Sequence, residues 1–460
     1  MHSLLEPIIT VDGEQQSLPQ ILHRLSAGDQ AGVAPITSFD YLRRHQKRAW
    51  HLFLVQTAAM IGPCTSVEEW EDALLAEGGR EMWELETPLG QPAFMQPPVD
   101  SVDDWDEVPT PDEAGVLSTA AGHTVKDTVI AQPSPEHWIY ALVTTQTTAN
   151  RKGRGNCRVI RMKSAYNDRP YVSLVPSLDW GPCFRSDVAV AREAPERGDL
   201  KFLWSLPYDE PVALEDCHTL FVEICRRFRF HEGTLYKKAA TVRMRPAKKK
   251  KGAVGDPWIP VDVTGKNLEA VSTKEAGFTY TVVQQLLANE DHKTPSLQVR
   301  SAKPMYFVAE SLAGDQGGTS GFHERVVPIP AKAAKVLKDD RDLFAERSKS
   351  RLQMAAGVKK QALRPALKVL QGIDLADEDG YKKLASWESS YESAVDQVFF
   401  EDLWEAVDQD QDEAEAEWKD RVVGFARDEL YRAKDTVSDT QKWKLWPQAQ
   451  SMFYARIASL

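Results

Sequence analysis

The chain has 460 residues, of which 42% are hydrophobic and 27% are charged, and its formal net charge is −12. This composition is typical of a globular protein with two to four domains, and the net acidity argues against a protein that binds nucleic acid over its whole surface. The first residues lack the basic and apolar segments of a secretory signal, and the longest apolar run, residues 49–62, is too short to cross a membrane. We therefore expect a cytoplasmic protein that has no membrane partner.

The first hundred residues predict short strands followed by helices. The segment LLEPIITVDG is apolar and ends in Asp12-Gly13, a pair that favours a tight turn between two strands. Ser17 is placed to cap the next helix, because its hydroxyl can accept a hydrogen bond from a free amide of the first turn. Two longer helices are predicted over residues 43–62 and 65–78, and the second has acidic residues in its first turn, where the helix dipole favours them.

Between about residue 116 and residue 330, short apolar runs alternate with Gly, Pro and basic segments. This pattern predicts a loop-rich region that contains strands, and long irregular loops often carry function. Within it, the segment LEDCHTLFVEICRRFRF, residues 214–230, is predicted to form a helix or a helix followed by a strand.

From residue 331 onward, apolar residues recur with helical spacing. The four long helical segments cover residues 331–370, 381–407, 414–434 and 444–460. Four helices with short links predict an antiparallel four-helix bundle. The expected fold class is α+β, with a mixed, loop-rich N-terminal α/β body over residues 1–330 and a C-terminal four-helix bundle over residues 331–460. The acidic segment 408–417 is either a docking surface or a solvated connection.

The sequence contains none of the catalytic motifs GxxxxGK[ST], HExxH and GxSxG. The triplet His323-Glu324-Arg325 does not predict a catalytic site, because adjacent side chains point in different directions on a helix or a strand. The five cysteines are widely spaced and form no CxxC pair, so neither a disulfide framework nor a cysteine-based zinc site is indicated. We therefore predict a protein that is not an enzyme and that has no metal and no cofactor.

Three segments combine glycine or polar residues with basic residues, although the chain as a whole is acidic. Residues 226–251 contain eleven Lys and Arg against one acid, Glu232, so this stretch has a charge of +10, and aromatic residues are interleaved. Residues 149–172 place basic residues around Gly153 and Gly155, and residues 313–325 form a second glycine-dense segment. Glycines allow a backbone to approach a sugar–phosphate chain, and basic side chains neutralise it. A single basic run is more often a solvated surface, but the three segments together favour nucleic-acid binding.

Several segments, in the same order along essentially the whole chain, resemble one protein family. They are LLEPIITVDGEQQSLPQIL, HQKRAWHLFLVQTAAMIG, QPAFMQPPV, GRGN with RMKSAYNDRPYV, VGDPWIPV and ERVVPIP, followed by the helical C-terminal part. In these segments the chain is similar to the CasA-type large subunit of the type I-E CRISPR Cascade complex. The resemblance implies a non-catalytic subunit of an RNA-guided surveillance complex. Such a subunit recognises the protospacer-adjacent motif on double-stranded DNA and promotes duplex opening and R-loop formation.

The resemblance also implies partners and the residues that contact them. The partners are the crRNA-guided Cascade subunits, target double-stranded DNA, the 5′ handle of the guide RNA and a helicase–nuclease effector. The family's glycine loop, which lies in the minor groove, corresponds to Gly153, Arg154, Gly155 and Asn156, and residues 163–167 are a further candidate. The family's lysine finger corresponds to Lys248, Lys249, Lys250 and Lys251, with Lys250 the best single match, and Arg243 and Arg245 belong to the basic rim beside it.

The family's wedge, which splits the duplex beneath the motif, corresponds to Gln316, Gly317, Gly318, Thr319 and Ser320. Small residues stand here where some relatives have a larger amide, so either Gln316 supplies the amide or the loop acts through its backbone. Residues 127–136 correspond to the segment that holds the 5′ handle, and no basic residue lies among them.

The function that the resemblance implies has a runner-up, and an undetected hydrolase, for which we expect no turnover by the purified chain, is a third possibility. The chain could be a structural scaffold subunit of a ribonucleoprotein that contacts guide RNA or a protein neighbour without reading DNA. Two further points stay open at the level of sequence: which motif is recognised, and whether the nuclease is recruited in trans or carried by another subunit.

Overall fold

The structure is a computed structural model, and it describes residues 2–28, 32–114, 130, 132–148, 161, 169–208, 210–238, 252–315 and 318–460. The chain divides into two compact units. The first unit comprises Met1–Phe278, Asp291–Gln298 and Met305–Pro328, and the second comprises Thr279–Glu290, Val299–Pro304 and Ile329–Leu460. The segment Thr279–Glu290 therefore belongs with the C-terminal helices, although it precedes them by some 40 residues in the sequence.

The described residues form helices and short strands. The helices are α1 Leu18–Ala27, α2 Lys47–Ile61, α3 Val67–Ala76, α4 Pro111–Ala114, α5 Pro135–Thr147, α6 Trp180–Arg192, α7 Tyr280–Ala288, α8 Ala331–Asp339, α9 Arg341–Gly357, α10 Arg364–Leu370, α11 Ala385–Glu405, α12 Gln411–Lys434 and α13 Asp439–Ala458. The strands are β1 Ile9–Val11, β2 Glu14–Gln16, β3 Asp106–Val108, β4 Tyr171–Val175, β5 Leu200–Phe202, β6 Cys217–Val222, β7 Arg227–His231, β8 Thr234–Lys238, β9 Val261–Asp262, β10 Glu269–Ala270, β11 His292–Lys293, β12 Met305–Asp315 and β13 Gly318–Ile329. Among the described helices, none has the length and apolar character needed to cross a membrane.

A tight hairpin opens the first unit, as the Asp-Gly pair predicts. β1 and β2 pair antiparallel, and the turn residues Asp12 and Gly13 have φ angles of 54° and 82°. Two successive positive φ angles define the type of turn that matches the twist of a two-residue hairpin. Ser17 then caps α1, because its hydroxyl accepts a hydrogen bond from the Gln20 amide at 3.4 Å while the Gln20 side chain accepts one from the Ser17 amide at 2.8 Å.

Helix α2 is buried in the hydrophobic core of the first unit. Of its 15 residues, 12 are buried, so its sequence is apolar on nearly every face. Trp50 stacks on Phe53 with ring centroids 5.4 Å apart, and Tyr140 of α5 meets Trp50 edge-on at 5.3 Å. The apolar run at residues 49–62 is therefore a core helix.

The strands of the first unit form several small sheets. β12 lies between β13 and β4, and β8 lies between β3 and β7. Residues 214–230, predicted as a helix or a helix followed by a strand, begin with a single 3-10 turn, Leu214–Asp216. The predicted helix is wrong beyond this turn, because Cys217–Val222 and Arg227–His231 are strands. Five of the six residues of β6 are buried, so the strand lacks the alternation of polar and apolar residues that would identify it in the sequence.

Four long helices form the bundle of the second unit. The first runs from Arg341 to Leu370, because a π-helical turn, Val358–Leu363, joins α9 to α10. Pro365 follows this turn. Proline has no backbone N–H to donate, and a π-helical turn is one way in which a helix accommodates the missing hydrogen bond. α11, α12 and α13 complete the bundle. The predicted α+β class with a helical C-terminal part is thus confirmed.

The acidic segment 408–417 begins helix α12. Asp410 caps the helix, and its carboxylate accepts hydrogen bonds from the amides of Asp412 at 3.0 Å and Glu413 at 3.3 Å. Acids at this end of a helix are stabilised by its dipole. Helix capping and the helix dipole therefore explain why several acidic residues occur in this segment.

Candidate nucleic-acid interface

Most of the predicted nucleic-acid contacts lie outside the described residues. These are Gly153, Arg154, Gly155 and Asn156 of the glycine loop, Arg243, Arg245 and Lys248 to Lys251 of the basic segment, and Gln316 and Gly317 of the wedge. The other wedge residues, Gly318, Thr319 and Ser320, are the first three residues of β13. Residues that flank these segments are described, and several of them are held in the core of the first unit.

Two arginines beside the predicted glycine loop converge on one carboxylate. Arg169, which precedes β4, donates a hydrogen bond from Nε to Oδ2 of Asp256 at 2.8 Å, and its Nη2 lies 2.6 Å from the same oxygen. Arg161 places Nη1 at 3.4 Å from that oxygen. Asp256 belongs to the VGDPWIPV segment, five residues after Lys251. The chain segments that follow the predicted glycine loop and the lysine run therefore meet at a single buried site, here called the Asp256 anchor (Arg161, Arg169 and Asp256).

The Asp256 anchor is a buried charge network. All three side chains are at most 4% exposed. The Arg161 guanidinium also donates to the carbonyl oxygens of Thr219 and Phe221, both at 2.8 Å. Burial alone would raise the pKa of Asp256, but the charges of Arg169 and Arg161 outweigh it and hold that pKa below the usual value of an aspartate. Burial also lowers the pKa of Arg161 to about 10, which still leaves the guanidinium charged at neutral pH.

Of the basic stretch 226–251, residues 226–238 are described, and they contain the antiparallel hairpin of β7 and β8. Arg229 is fully buried, and it donates hydrogen bonds to the carbonyl oxygens of Thr87 and Pro88, both at 2.8 Å. Phe228 and Phe230 are only 2% and 6% exposed, so they are unavailable for stacking on bases. The expectation that the basic residues of 226–251 contact nucleic acid is therefore wrong at Arg229, because its guanidinium satisfies loop carbonyl groups in the core. Arg161, in the segment 149–172 that contains the predicted glycine loop, is also buried, and its guanidinium likewise donates to carbonyl groups in the core.

The described wedge residues, Gly318, Thr319 and Ser320, begin one strand of a long two-stranded ribbon. β12 ends at Asp315 and β13 begins at Gly318. The third strand of this sheet, β4, pairs only with Tyr306 to Glu310 of β12. The following five residues of β12 extend past that strand by roughly 17 Å, at about 3.3 Å per residue. Gly318, Thr319 and Ser320 thus lie at the far end of the ribbon.

Basic residues at the start of α2 hold the base of the ribbon. Arg44 donates from Nε to Glu324 on β13 at 2.9 Å, and Arg48 forms a buried ion pair with Glu310 on β12. On the same strand as Glu324, His323 lies so close to Gly277 that a Cβ there would be 2.6 Å from its ring nitrogen. Both strands are therefore fixed where the ribbon leaves the sheet.

The described part of segment 127–136 is the beginning of helix α5. Residues 127–129 and 131 lie outside the described chain. Ser134 caps the helix, and the Glu136 carboxylate accepts hydrogen bonds from the amide of Thr10 at 2.9 Å and from its hydroxyl at 3.0 Å. Glu136 therefore has an internal partner. That this segment holds the 5′ handle stays a prediction.

Sequence reasoning missed the residues that organise the site. It did not single out Asp256 or Arg169, although Asp256 lies in a quoted motif, and it grouped Arg161 with the surface charges. The only local signal is the polar Asp256 within an apolar segment, VGDPWIPV. Its partners are 87 and 95 residues away in the sequence, so pairing could not be inferred from spacing.

No protein-family model matches the chain. No curated protein matches it either. Solved structures do match along its whole length. CasA of Thermus thermophilus superposes with a TM-score of 0.69 at 16% identity, and the match covers 100% of both chains. The CRISPR-associated protein Cse1 of Acidimicrobium ferrooxidans has a TM-score of 0.59 at 16% identity, covering 100% of this chain and 98% of that one. Cse1 of Thermobifida fusca has a TM-score of 0.63 at 12% identity, covering 99% and 97%.

These similarities identify the fold. An α+β body with a helical C-terminal part is common to this chain and to the matched structures, from one end to the other. The fold is that of the CasA and Cse1 proteins, in agreement with the resemblance found in the sequence.

Proposed function

We propose that the chain is a non-catalytic large subunit of an RNA-guided CRISPR surveillance complex. In this role it recognises the protospacer-adjacent motif and promotes opening of the duplex. The observation that carries the proposal is the fold, which agrees with CasA over the full length of both chains. Because a fold by itself does not define a function, the candidate interface must supply the mechanism.

The Asp256 anchor supports a two-part grip on DNA. The glycine loop precedes Arg161, the lysine run precedes Asp256, and these two anchor residues lie together in the core. Gly153 and Gly155 have no Cβ, so their backbone can enter the minor groove, while the lysines neutralise phosphates. The minor groove presents few distinguishing groups, so such a grip tolerates some sequence variation. Pairing with the guide RNA reads the remaining target sequence.

The ribbon supports a role in opening the duplex. Splitting a base step costs a few kcal/mol, and inserted groups can offset this by replacing the lost stacking contacts. The insertion requires a firm base, and the buried ion pair of Arg48 with Glu310 supports one.

The remaining partners follow from the same role. The crRNA-guided Cascade subunits and the 5′ handle of the guide RNA hold the chain in the complex, with residues 127–136 as the proposed handle contact. A helicase–nuclease effector cleaves the DNA, so this chain needs no catalytic residues of its own. Co-purification with a multi-subunit ribonucleoprotein is the expected result. Isolation only as a free chain, from cells that contain guide RNA and the other subunits, would contradict the proposal.

The glycine loop is tested by adding bulk. In the assembled complex, the double variant Gly153→Val, Gly155→Val should abolish motif-dependent binding to duplex DNA and leave assembly intact, because side chains would block the minor groove. Gly90→Val is the matched control, since Gly90 is exposed and a Cβ there would meet nothing within 4 Å. Unchanged motif-dependent binding by the double variant would exclude the groove contact.

The lysine run is tested by charge reversal. Changing Lys248 to Lys251 to Glu should weaken duplex binding and reduce the slope of log K against log[salt] by about one unit for each lysine that contacts a phosphate. The control reverses four exposed lysines of the second unit: Lys335, Lys338, Lys349 and Lys360. Equal losses of duplex binding in both variants would mean that the change in net charge alone weakens binding. That result would favour the alternative, a scaffold subunit that does not read DNA.

The wedge is tested by comparing intact and opened targets. Replacing residues 316–320 with a shorter Gly-Ser linker should slow guide–target pairing on intact duplex, while a target with its first base pairs mismatched should pair at nearly the wild-type rate. Replacing the exposed residues 265–268 in the same way provides the control. Equal slowing on both targets would show that the loop contributes affinity or structure instead.

A further inference from the structure

A compact group of potential metal ligands lies in the core of the first unit, between α2 and α6. His51 Nε2 is 2.7 Å from Asp187 Oδ2, and Cys183 Sγ is 3.9 Å from His51 Nε2. One ligand atom from each residue lies within 4.8 Å of the other two. Cys183 and Asp187 are four residues apart on α6, so they share one face of that helix. The proposed function uses none of these three residues.

Three further donors fix the carboxylate of Asp187. Its Oδ2 accepts a hydrogen bond from the Tyr171 hydroxyl at 2.7 Å, and its Oδ1 accepts from the Ser173 hydroxyl at 2.8 Å and from the Trp258 indole at 3.0 Å. Outer donors of this kind orient the carboxylate ligands of metal sites and are a regular part of their construction. Asp187 is therefore held in place by groups other than His51.

A cavity adjoins the group and contains unsatisfied polar atoms. Its volume is about 70 Å³, and its walls include His51, Cys183, Arg48 and Glu310. Within the described residues, Glu310 Oε2 and Arg48 Nε are buried and have no hydrogen-bond partner. Glu310 is only 3% exposed. Buried polar atoms without protein partners indicate bound water or a ligand, and this cavity has room for both.

We propose that His51 Nε2, Cys183 Sγ and Asp187 Oδ2 bind a zinc ion, with a water from the cavity as the fourth ligand. Tetrahedral zinc requires ligand atoms roughly 3.3–3.7 Å apart, so the imidazole and carboxylate need to separate by less than about 1 Å. A thiolate with an imidazole favours zinc over magnesium or calcium. The thiolate and the carboxylate balance the charge of the ion, so the buried site is neutral.

Zinc binding displaces protons in this site. The thiol of Cys183 gives up its proton when the sulfur becomes a ligand, and His51 must lose any proton on Nε2. The ion then joins α2 to α6 in place of the direct hydrogen bond between His51 and Asp187. This proposal revises the expectation, drawn from the widely spaced cysteines, that the chain carries no metal.

The test measures metal content and stability in the full chain. Zinc is determined by mass spectrometry in wild type, in Cys183→Ser and in Cys225→Ser. Cys225 is the matched control, because it is another fully buried cysteine of the first unit and belongs to no group of potential ligands among the described residues. We expect one zinc per chain in wild type and Cys225→Ser and a loss of most of it in Cys183→Ser.

A second measurement keeps the test decisive if Cys183→Ser folds poorly. His51→Gln retains a side chain that can donate to Asp187 but is a much weaker zinc ligand. After chelation, added zinc should raise the melting temperature of wild type and Cys225→Ser and leave that of folded His51→Gln unchanged. Absence of zinc from folded wild type, with no stabilisation by added zinc, would overturn the proposal. None of these readouts involves DNA, so the result is independent of the proposed function.

Discussion

Replacing Asp256 with Asn removes the charge at the Asp256 anchor without changing its size. Two buried guanidiniums then lose their shared counter-charge. Arg161 keeps its carbonyl partners, whereas Arg169 loses both short contacts with the carboxylate. Removing one partner of a buried ion pair costs about 3–5 kcal/mol. In a unit of this size that corresponds to a fall of roughly 5–8 °C in melting temperature.

The assay is thermal unfolding of the isolated chain, followed by tryptophan fluorescence, with Asp103→Asn as the control at an exposed carboxylate. The pKa of Asp256 is lowered in the folded state, so its contribution is complete well above the ordinary pKa of an aspartate and is lost as the pH falls through the lowered folded-state pKa. The gap between wild type and Asp256→Asn should therefore close in acid. If Asp256→Asn has the same melting temperature as Asp103→Asn at pH 7, the view that this carboxylate holds the two arginines is refuted.

The other predictions concern single positions. Gly198→Ala should destabilise the first unit severely, because a Cβ would lie 2.1 Å from the backbone of Asp216, and the melting temperature checks this. Gly424→Ala should stabilise the second unit by about 0.5–1 kcal/mol in urea unfolding, since a Cβ in this part of α12 meets nothing within 4 Å. Ser17→Ala should lower stability by about 1 kcal/mol through loss of the cap on α1, and a loss below a few tenths would contradict the capping argument.

The sequence predicted the elements that depend on local signals. Asp12-Gly13 and Ser17 act through neighbours within a few residues, and the structure has the turn and the cap where they were expected. The helices of the bundle were predicted for the same reason, because their apolar residues recur at helical spacing. By contrast, β6 is buried over nearly its whole length, so its sequence carries neither the period of a strand nor that of a surface helix.

The candidate site was harder to predict, because its organising contacts join distant residues. Arg161 lies in a segment rich in surface-type charges, and nothing local shows that it pairs with a carboxylate 95 residues later. Likewise, His51 and Asp187 are separated by 136 residues. The residue type alone does not distinguish a buried arginine from an exposed one, because burial is decided by the tertiary structure.

The Asp256 anchor has a consequence for protein engineering. Arg161, Arg169 and Asp256 fix described positions of the chain that lie next to the segments 149–160, 162–168 and 239–251 in the sequence, so these positions can serve as junctions when the segments are exchanged. Loops with defined ends can be exchanged between relatives while the core sequence is kept. If the chain has the proposed function, grafting these segments from a homologue with a different motif preference transfers that preference, provided that the three anchor residues stay in place.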